Sequence, residues 1–524
     1  MKWIHNAPWW LVSAGIHAVI LMGAALVIME RAFAIETPPM IVGMSDRRTV
    51  LPPEPPAKRD DVERRSLEST EPDKSTNNDP VIWFPGAKPS DHNESKDNLD
   101  KKTMRGESPK LLGYVPGGKD GMIGRTNGPN PGKAENIGVG VGSGYSGRHG
   151  DPNGGGKDDL LKVGGGGTIT ESAVKAALRW LARHQNSDGS WSASGFSTKC
   201  VNARCSGTGE SDYDTGVTSL SVLAFLGAGY SQLSKDVEVD PAFPDQKLNF
   251  GDVVKRALQW LVARQDPEGC VGERGQKYLY NHTIAALALS EAYGMTAAPV
   301  LLDPSQRAIN FVVASQNPGK GWRYSARGGD NDTSVTGWAV MALKSAELSG
   351  LHFPPSAFAG ALSWLNEATE QNGYYRVGYT QAGTGKVYVP GKNEQFDHHE
   401  SMSAVAVMSK IFINKKRDGS LTSVNFLVGD LPAWKPGKVD FYYWYYASLA
   451  LFQYDGPKGP FWSKWNEPMK NAIVPHQKTA GCENGSWDPS ADRWGFEGGR
   501  VYAAAINALT LEVYYRYAHV FGTK

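Results

Sequence analysis

The chain has 524 residues, of which 40% are hydrophobic, so it is long enough to bury a large core. Its 55 basic and 54 acidic residues leave a formal net charge of +1, and this balance gives no field that would gather a polyanion. We therefore expect no nucleic-acid partner.

The first predicted element is a transmembrane anchor, residues 1–34. An uncharged stretch from Ala7 to Met29 is long enough to span a bilayer at about 1.5 Å per helical residue. Lys2 precedes this stretch, so the positive-inside rule places the residues after it on the extracytoplasmic side. A signal peptide cleaved at the AFA of residues 32–34 is the alternative. Both interpretations predict a periplasmic location for the folded part.

Residues 35–168 form a predicted disordered linker. Proline-rich sequence such as PPEPPAKRDD is followed by glycine-rich sequence such as VGVGSGYSGRHG, and neither shows apolar periodicity. The linker leads into one predicted folded domain, residues 169–524.

Four cysteines lie in this domain. Cys200 and Cys205 are close enough in sequence for a loop disulfide in an oxidising compartment, although spacing does not prove the pairing. A metal site would need further ligands beside them, and none is near in sequence. Cys270 and Cys482 are interpreted as buried small apolar side chains. We therefore predict no metal and no cofactor.

The folded domain contains a repeated helical block. An aromatic residue is followed eleven places later by a second aromatic or apolar residue, and the pairs are Trp180 and Trp191, Trp260 and Val271, Phe311 and Trp322, and Trp364 and Tyr375. In three copies a glutamine lies five places after the first aromatic, at Gln185, Gln265 and Gln316; the fourth copy has Thr369 there, and a weaker copy ends in Trp487. The i, i+3, i+4 spacing of apolar residues predicts an amphipathic helix in each block.

Six further segments are apolar around most of their circumference, which is typical of buried helices. They begin at Asp214, Asn281, Asp332, Glu400, Asp440 and Gly499. These segments alternate with six amphipathic ones, the poorest of which begins at Ser420. The pattern predicts an all-α domain in which six helical hairpins close into an α/α toroid.

The blocks of aromatic, glutamine, glycine and tryptophan resemble the QW repeats of squalene and oxidosqualene cyclases. The helix pairing is similar to the toroid of protein prenyltransferase β-subunits. The resemblance covers residues 169–524 and implies an isoprenoid or other lipid-like substrate, delivered from the membrane. The alternative is a non-catalytic extracytoplasmic scaffold for a protein partner, and glycan processing by paired carboxylates is a third interpretation. An aromatic-lined cavity above ~300 Å³ would favour a ligand, and a filled centre the scaffold.

Parallel inner helices bring their N-termini to one end of the ring, which is the predicted ligand site. Carboxylates and a histidine there could transfer protons, and the candidate catalytic residues are Asp212, Asp214, His282, Asp330 and Asp332. Aromatic rings could line an apolar cavity, and the candidate substrate-binding residues are Trp338, Asp440, Tyr442, Trp444 and Tyr502.

The acidic residues have a second interpretation, because Asp is also preferred at helix N-caps and D-x-D-T occurs twice. We favour capping for Asp214 and Asp332 and leave both roles open for Asp212 and Asp330. Bacterial squalene cyclases protonate their substrate with a D-x-D-D-T motif. A match through the Thr puts Asn331 over one of its acids, and an ungapped match from Asp330 puts Thr333 over the last acid, so the acid pair is incomplete either way.

The zinc ligands of protein prenyltransferases are also incomplete in this sequence. Asp440 is retained, but Tyr442 stands in the Cys position and Tyr502 in the His position. The resemblance therefore implies a fold and a ligand class and leaves the activity unassigned.

Overall fold

The computed structural model describes residues 157–200, 203–383, 387–395, 400–417 and 421–516. The predicted anchor, residues 1–34, and most of the predicted linker lie outside these ranges and stay predictions. Across the described ranges no helix combines the length and the apolar character needed to cross a bilayer.

Fourteen α-helices and one two-stranded sheet make up the described part of the chain. In chain order they are α1 (Lys157–Gly164), α2 (Thr168–Arg183), α3 (Asp214–Gly227), β1 (Val237–Asp240), β2 (Phe243–Asn249), α4 (Phe250–Ala263), α5 (Tyr278–Thr296), α6 (Pro299–Ser315), α7 (Thr333–Ser349), α8 (Ser356–Glu367), α9 (Glu400–Asn414), α10 (Leu421–Leu427), α11 (Phe441–Asp455), α12 (Pro460–Ile473), α13 (Gly495–Leu511) and α14 (Val513–Arg516).

The inner ring consists of α3, α5, α7, α9, α11 and α13. Each of these helices packs against the next in the series, and α13 also packs against α3, so the ring is closed. In α3 every residue from Gly216 to Gly227 is buried, as expected for a helix that is apolar on all sides. The outer helices α2, α4, α6, α8, α10 and α12 pack against this ring. The predicted α/α toroid of six hairpins is thereby confirmed.

The repeated glutamines join neighbouring hairpins. The side-chain amide of Gln185 donates to a carbonyl of its own turn and to Val253 O of the next outer helix, both at 2.9 Å. The same pair of bonds is made by Gln265 and Gln316. Gln477, in the weaker copy, donates to Ala173 O of α2 at 2.8 Å and so joins the last hairpin to the first. The glutamines of the repeat are thus structural.

Each turn of the repeat is also bonded to the first turns of its own inner helix. The Trp191 N–H donates to Thr218 Oγ1 at 2.9 Å. Equivalent bonds join Val271 N to His282 Nδ1, Trp322 N to Thr336 Oγ1, and Val377 N to Ser403 Oγ. In the fourth copy Val377 therefore takes the position predicted for Tyr375, because the turn that begins at Thr369 is longer.

Two features differ from the prediction of an all-α domain that starts at residue 169. After α3 the chain forms the antiparallel hairpin of β1 and β2, in which Val237 pairs with Asn249 and whose acidic side chains pair with arginines of α2. The folded part also begins earlier, with α1, inside the predicted linker. Trp462 Nε1 donates to Gly164 O at 2.8 Å, and Asn466 Nδ2 to Gly165 O at 3.0 Å.

Candidate functional site

The first turns of the six inner helices surround a cavity of about 180 Å³. Nine of its lining side chains are aromatic: Tyr213, Tyr280, Tyr324, Trp338, Tyr379, Tyr388, Tyr442, Trp494 and Tyr502. Aliphatic side chains such as Val217, Leu220 and Ile284 form much of the rest. The cavity lies at the predicted end of the ring because parallel inner helices bring their first turns together there.

A chain of hydrogen bonds orients three of the aromatic rings. Ser334 Oγ lies 2.7 Å from Tyr442 Oη and donates to Tyr280 Oη at 3.3 Å. Trp338 Nε1 donates to the same Tyr280 oxygen at 3.0 Å. These bonds satisfy polar atoms inside the wall, so the faces and edges of the rings are presented to the cavity.

Two polar atoms of the cavity lining have no such partner. The hydroxyl of Tyr502 and the side-chain oxygen Oδ1 of Asn281 are buried and form no hydrogen bond to any described residue. The amide nitrogen of Asn281 is fixed, because it donates to Asp212 O at 2.7 Å. Tyr502 and Asn281 therefore each contribute to the lining a polar group that has no protein partner among the described residues.

Charged groups lie at one side of the cavity. Lys277 Nζ donates to Glu497 Oε1 at 2.9 Å and to Tyr213 Oη at 2.7 Å. The Lys277 side chain is 34% exposed, which shows that this side of the cavity is open to solvent. Burial and the neighbouring Glu497 hold the pKa of Tyr213 above its ordinary value, so its hydroxyl stays protonated.

Asp332 lies behind the cavity wall as the N-cap of α7. The Val335 N–H donates to its Oδ1 at 2.7 Å, and the Tyr379 hydroxyl donates to its Oδ2 at 3.4 Å. Burial raises the pKa of Asp332 to about 7. A raised pKa makes a carboxylic acid a weaker proton donor, whereas protonating an alkene demands a strong one. Asp332 is thus the N-cap of α7, as predicted, and its burial favours the protonated form.

The other candidate acids do not line the cavity. Asp330 is exposed and forms an ion pair with Arg323. Asp212 is exposed in a short turn before α3. Asp214 lies inside the first turn of α3 and accepts a hydrogen bond from Ala193 N at 2.8 Å, so the prediction that it is the N-cap is wrong. The turn before α3 brings the Ala193 amide, and not a helix amide, to this carboxylate.

His282 is likewise not a cavity residue. Its Nδ1 accepts a hydrogen bond from Val271 N at 3.0 Å, and its Nε2 donates to Ala308 O at 3.1 Å. Burial lowers its pKa to about 4, so the ring is neutral and both nitrogens are used. His282 takes the place that Thr218 and Thr336 take in other hairpins, and this structural role explains its position near the start of α5.

Of the candidate substrate-binding residues, Trp338, Tyr442 and Tyr502 line the cavity. Asp440 does not, because it caps α11 by accepting from Tyr443 N at 2.8 Å. Trp444 is buried against Trp434 and Phe441 instead. Two residues along a helix correspond to a rotation of about 200°, so Tyr442 and Trp444 face opposite sides.

Several cavity residues gave no signal in the sequence. Tyr324 and Tyr379 lie outside the helices, and Lys277 precedes α5, so no helical periodicity marks them. Tyr280 could have been found, because it lies one residue before the segment that was recognised as an inner helix. The aromatic character of the site was predictable, and the contribution of the loops was not.

A second cluster lies away from the cavity lining. The ligand atoms of His184, Cys200, Cys205 and Cys482 all lie within 4.8 Å of one another. The sequence suggested only a pairing of Cys200 with Cys205, because Cys482 is 298 residues from His184. The turn before α13 brings Cys482 to the other three residues when the ring closes.

Residues 243–397 match the family model of the squalene-hopene cyclase C-terminal domain. The resemblance to squalene cyclases is confirmed over these residues. This squalene cyclase-like segment includes the first turns of α5 and α7, with Tyr280, Ser334 and Trp338 of the cavity. No curated protein sequence matches the chain significantly.

Solved structures that align with the chain include proteins of different activities. A protein from Actinoplanes aligns over 66% of this chain and 99% of its own, with 15% identity and a TM-score of 0.38. The type II terpene cyclase MstE from Scytonema aligns over 66% and 97%, with 13% identity and a TM-score of 0.41. The alpha-1,6-mannanase GH76A of a Salegentibacter species aligns over 66% and 98%, with 10% identity and a TM-score of 0.41. Similarity at this level does not define an activity.

Proposed function

We propose that the cavity at the N-terminal end of the inner ring binds the hydroxyl-bearing end of an isoprenoid or similar branched apolar molecule. The observation that carries the proposal is an aromatic-lined cavity whose wall contains two buried polar atoms without a protein partner. The squalene cyclase-like sequence of residues 243–397 supports this class of ligand.

The size of the cavity limits what enters it. A cavity of ~150 Å³ is enough for a molecule the size of benzene. The volume of about 180 Å³ therefore suits a short branched hydrocarbon group and is below the ~300 Å³ expected for a whole drug-sized ligand. A longer chain would have to extend through the open side near Lys277. A whole triterpene does not fit, which argues against cyclisation of squalene.

The unpartnered polar atoms favour an alcohol over a pure hydrocarbon. A buried polar group without a hydrogen bond costs about 1–3 kcal/mol. An alcohol group both accepts and donates hydrogen bonds, so it can pair with the Tyr502 hydroxyl as an acceptor or with Asn281 Oδ1 as a donor. Its hydrocarbon part is stabilised by burial, at about 25 cal/mol per Å² of apolar surface.

The proposal is one of binding. Asn331 stands in the acid pair of the cyclase motif, and Asp332 is engaged as a cap. The protein-binding scaffold is the second candidate, and the small volume of the cavity favours it. The two candidates differ in whether a small alcohol binds saturably.

Titration calorimetry of the full-length protein with prenol, geraniol and farnesol, each beside the matching hydrocarbon without the hydroxyl, tests the proposal. We expect saturable binding of the shorter alcohols and at least about tenfold weaker binding of the hydrocarbons, since one hydrogen bond to a buried group contributes about 1.4 kcal/mol. Tyr502→Phe, which removes only the oxygen, should abolish most of this difference.

A cavity-filling variant provides the steric control. Ile284→Trp places a large ring in the cavity and should abolish binding. Ile169→Trp makes the same change at a side chain that is 69% exposed and should bind as the wild type does. Absence of saturable binding in the wild type, or equal binding by Ile284→Trp, would refute the proposal and favour the scaffold.

A further inference from the structure

Four metal-binding side chains from separate segments meet where the last hairpin of the toroid joins the first. His184 follows α2, and Cys200 and Cys205 lie in the loop before α3. Cys482 lies in the turn between α12 and α13. All three thiols are free in the structure, and His184 is fully buried. Cys270 is buried outside this cluster. Burial as a small apolar side chain therefore does not explain why the other three cysteines lie beside a histidine.

The spacing of the four ligand atoms fits a tetrahedral zinc site. The sulfurs of Cys200 and Cys482 each lie 3.5 Å from His184 Nε2, and the sulfur of Cys205 lies 3.7 Å from it. A zinc ion at the centre of a tetrahedron, with Zn–S bonds of about 2.3 Å and a Zn–N bond of about 2.0 Å, places nitrogen and sulfur about 3.5 Å apart. The side chains are therefore already spaced as zinc ligands.

The surroundings of His184 fix it in the form that binds a metal. Its Nδ1 lies 2.8 Å from Trp180 O, so Nδ1 carries the proton and donates it to this carbonyl. The lone pair of Nε2 then points at the three sulfurs. The imidazole also stacks on the Trp180 ring, with centroids 4.1 Å apart, which holds its orientation.

Two neighbouring groups place an N–H donor or a positive charge near the sulfurs. The Cys205 N–H donates to Cys200 Sγ at 3.2 Å, and an N–H donor stabilises negative charge on a sulfur. The guanidinium of Arg183, the residue before His184, is paired with Asp240 and is also close enough to interact electrostatically with all three cysteines.

We propose that His184, Cys200, Cys205 and Cys482 bind one Zn²⁺ as a tetrahedral Cys₃His site. Thiolate and imidazole ligands in a tetrahedral arrangement select zinc among the common divalent ions. All four coordination positions are filled by the protein, so no position is left for water or substrate. The site is therefore structural and separate from the proposed ligand cavity.

The position of the zinc site indicates its role. His184 and Cys482 are 298 residues apart, so the ion links the first hairpin to the last across the closure of the ring. The segment that follows Cys205 in the chain packs against α13, where the Arg500 N–H donates a hydrogen bond to Gly207 O at 2.8 Å. The zinc therefore holds the loop that packs against the start of α13, the helix that carries Tyr502.

Metal analysis of the purified full-length protein tests the proposal directly. We expect one zinc per chain in the wild type and in Cys270→Ser, which removes a buried thiol outside the cluster. Cys482→Ser should lose the zinc and lower the Tm by several degrees, because metal binding contributes to folding. The same loss is expected when a chelator removes zinc from the wild type, and added Zn²⁺ should restore the original Tm.

X-ray absorption at the zinc edge needs only the wild-type protein, so it tests the proposal even if Cys482→Ser does not fold. The wild type should show three sulfurs at about 2.3 Å and one nitrogen at about 2.0 Å. The proposal is overturned if the wild type contains no stoichiometric zinc, if Cys482→Ser retains it, or if mass spectrometry finds a disulfide between Cys200 and Cys205.

Discussion

Residues 212–215 and 330–333 share the pattern D-x-D-T, and each leads into an inner helix. In the second copy Asp332 stands outside α7 and caps it through the Val335 amide. In the first copy Asp214 is already inside α3, and its carboxylate accepts the amide of Ala193 in the preceding turn. The two carboxylates thus accept from amides in different elements, and a shared four-letter pattern does not decide which amide is bound.

The features that the two copies do share involve the backbone. The carbonyl of Asp212 accepts from Asn281 Nδ2 and the carbonyl of Asp330 accepts from Asn317 Nδ2, both at 2.7 Å. The threonines four places after the second Asp both bind the amide of a repeat tryptophan. The threonines therefore join an outer turn to its own inner helix in both copies, whereas the asparagines come from different elements, Asn281 from α5 and Asn317 from the turn after α6.

The largest expected difference between the copies is in their response to pH. Burial raises the pKa of Asp332 to about 7, from an ordinary value of 3.8. The folded state then binds more protons than the unfolded state, so the stability contributed by this group falls as pH rises from about 4 to about 7. Asp332→Asn retains a side-chain oxygen that can accept from the Val335 amide, but it carries no negative charge. Its stability relative to wild type should increase by on the order of 2–4 kcal/mol between pH 4 and pH 8.

Denaturant unfolding of wild type and Asp332→Asn across this pH range measures the effect. Glu291, whose pKa burial raises to about 7, is present in both proteins, so its contribution cancels in the difference. Asp330→Asn makes the same substitution at an exposed carboxylate and provides the control for the chemical change itself. A difference between wild type and Asp332→Asn that is constant with pH would show that Asp332 is not a buried proton-binding group.

A smaller effect is expected at the first copy. Asp214→Ala removes the acceptor of the Ala193 amide and should cost about 1 kcal/mol of stability. Hydrogen exchange should show faster exchange at Ala193 and little change within α3. Asp214→Asn retains an acceptor oxygen and should restore most of the protection. Faster exchange of the amides of α3, with Ala193 still protected, would instead assign Asp214 to the helix cap.

Much of the fold could be predicted because it depends on repeated local patterns. The apolar circumference of the inner segments and the amphipathic spacing of the outer ones determine which helices are buried. The glutamine at a fixed distance from each aromatic marks the turn that joins neighbouring hairpins. The hairpin of β1 and β2 has no counterpart in the repeat, and the early start of α1 depends on contacts with Trp462 and Asn466.

The site was less predictable because it depends on which face of a helix a residue occupies and on contacts between distant segments. Tyr442 and Trp444 lie on the same helix, yet only Tyr442 reaches the cavity. In the sequence His282 resembles a catalytic group, but in the structure its Nδ1 accepts a hydrogen bond from the amide of Val271 and so holds the repeat turn. Cys482 comes close to His184 only when the ring closes, so no local sequence pattern could predict that the two residues are neighbours.

The smallest expected effect belongs to Asp330. Its side chain is 59% exposed and pairs with Arg323, and an exposed ion pair contributes ~0.5 kcal/mol or less. Asp330→Asn should therefore change stability by no more than this, and 0.5 M salt should remove the difference because it screens exposed charges. Binding of prenol should be unchanged, since Asp330 does not line the cavity. A variant that folds normally but no longer binds the alcohol would place Asp330 in the site, and the first acid of this D-x-D-T copy would then be functional.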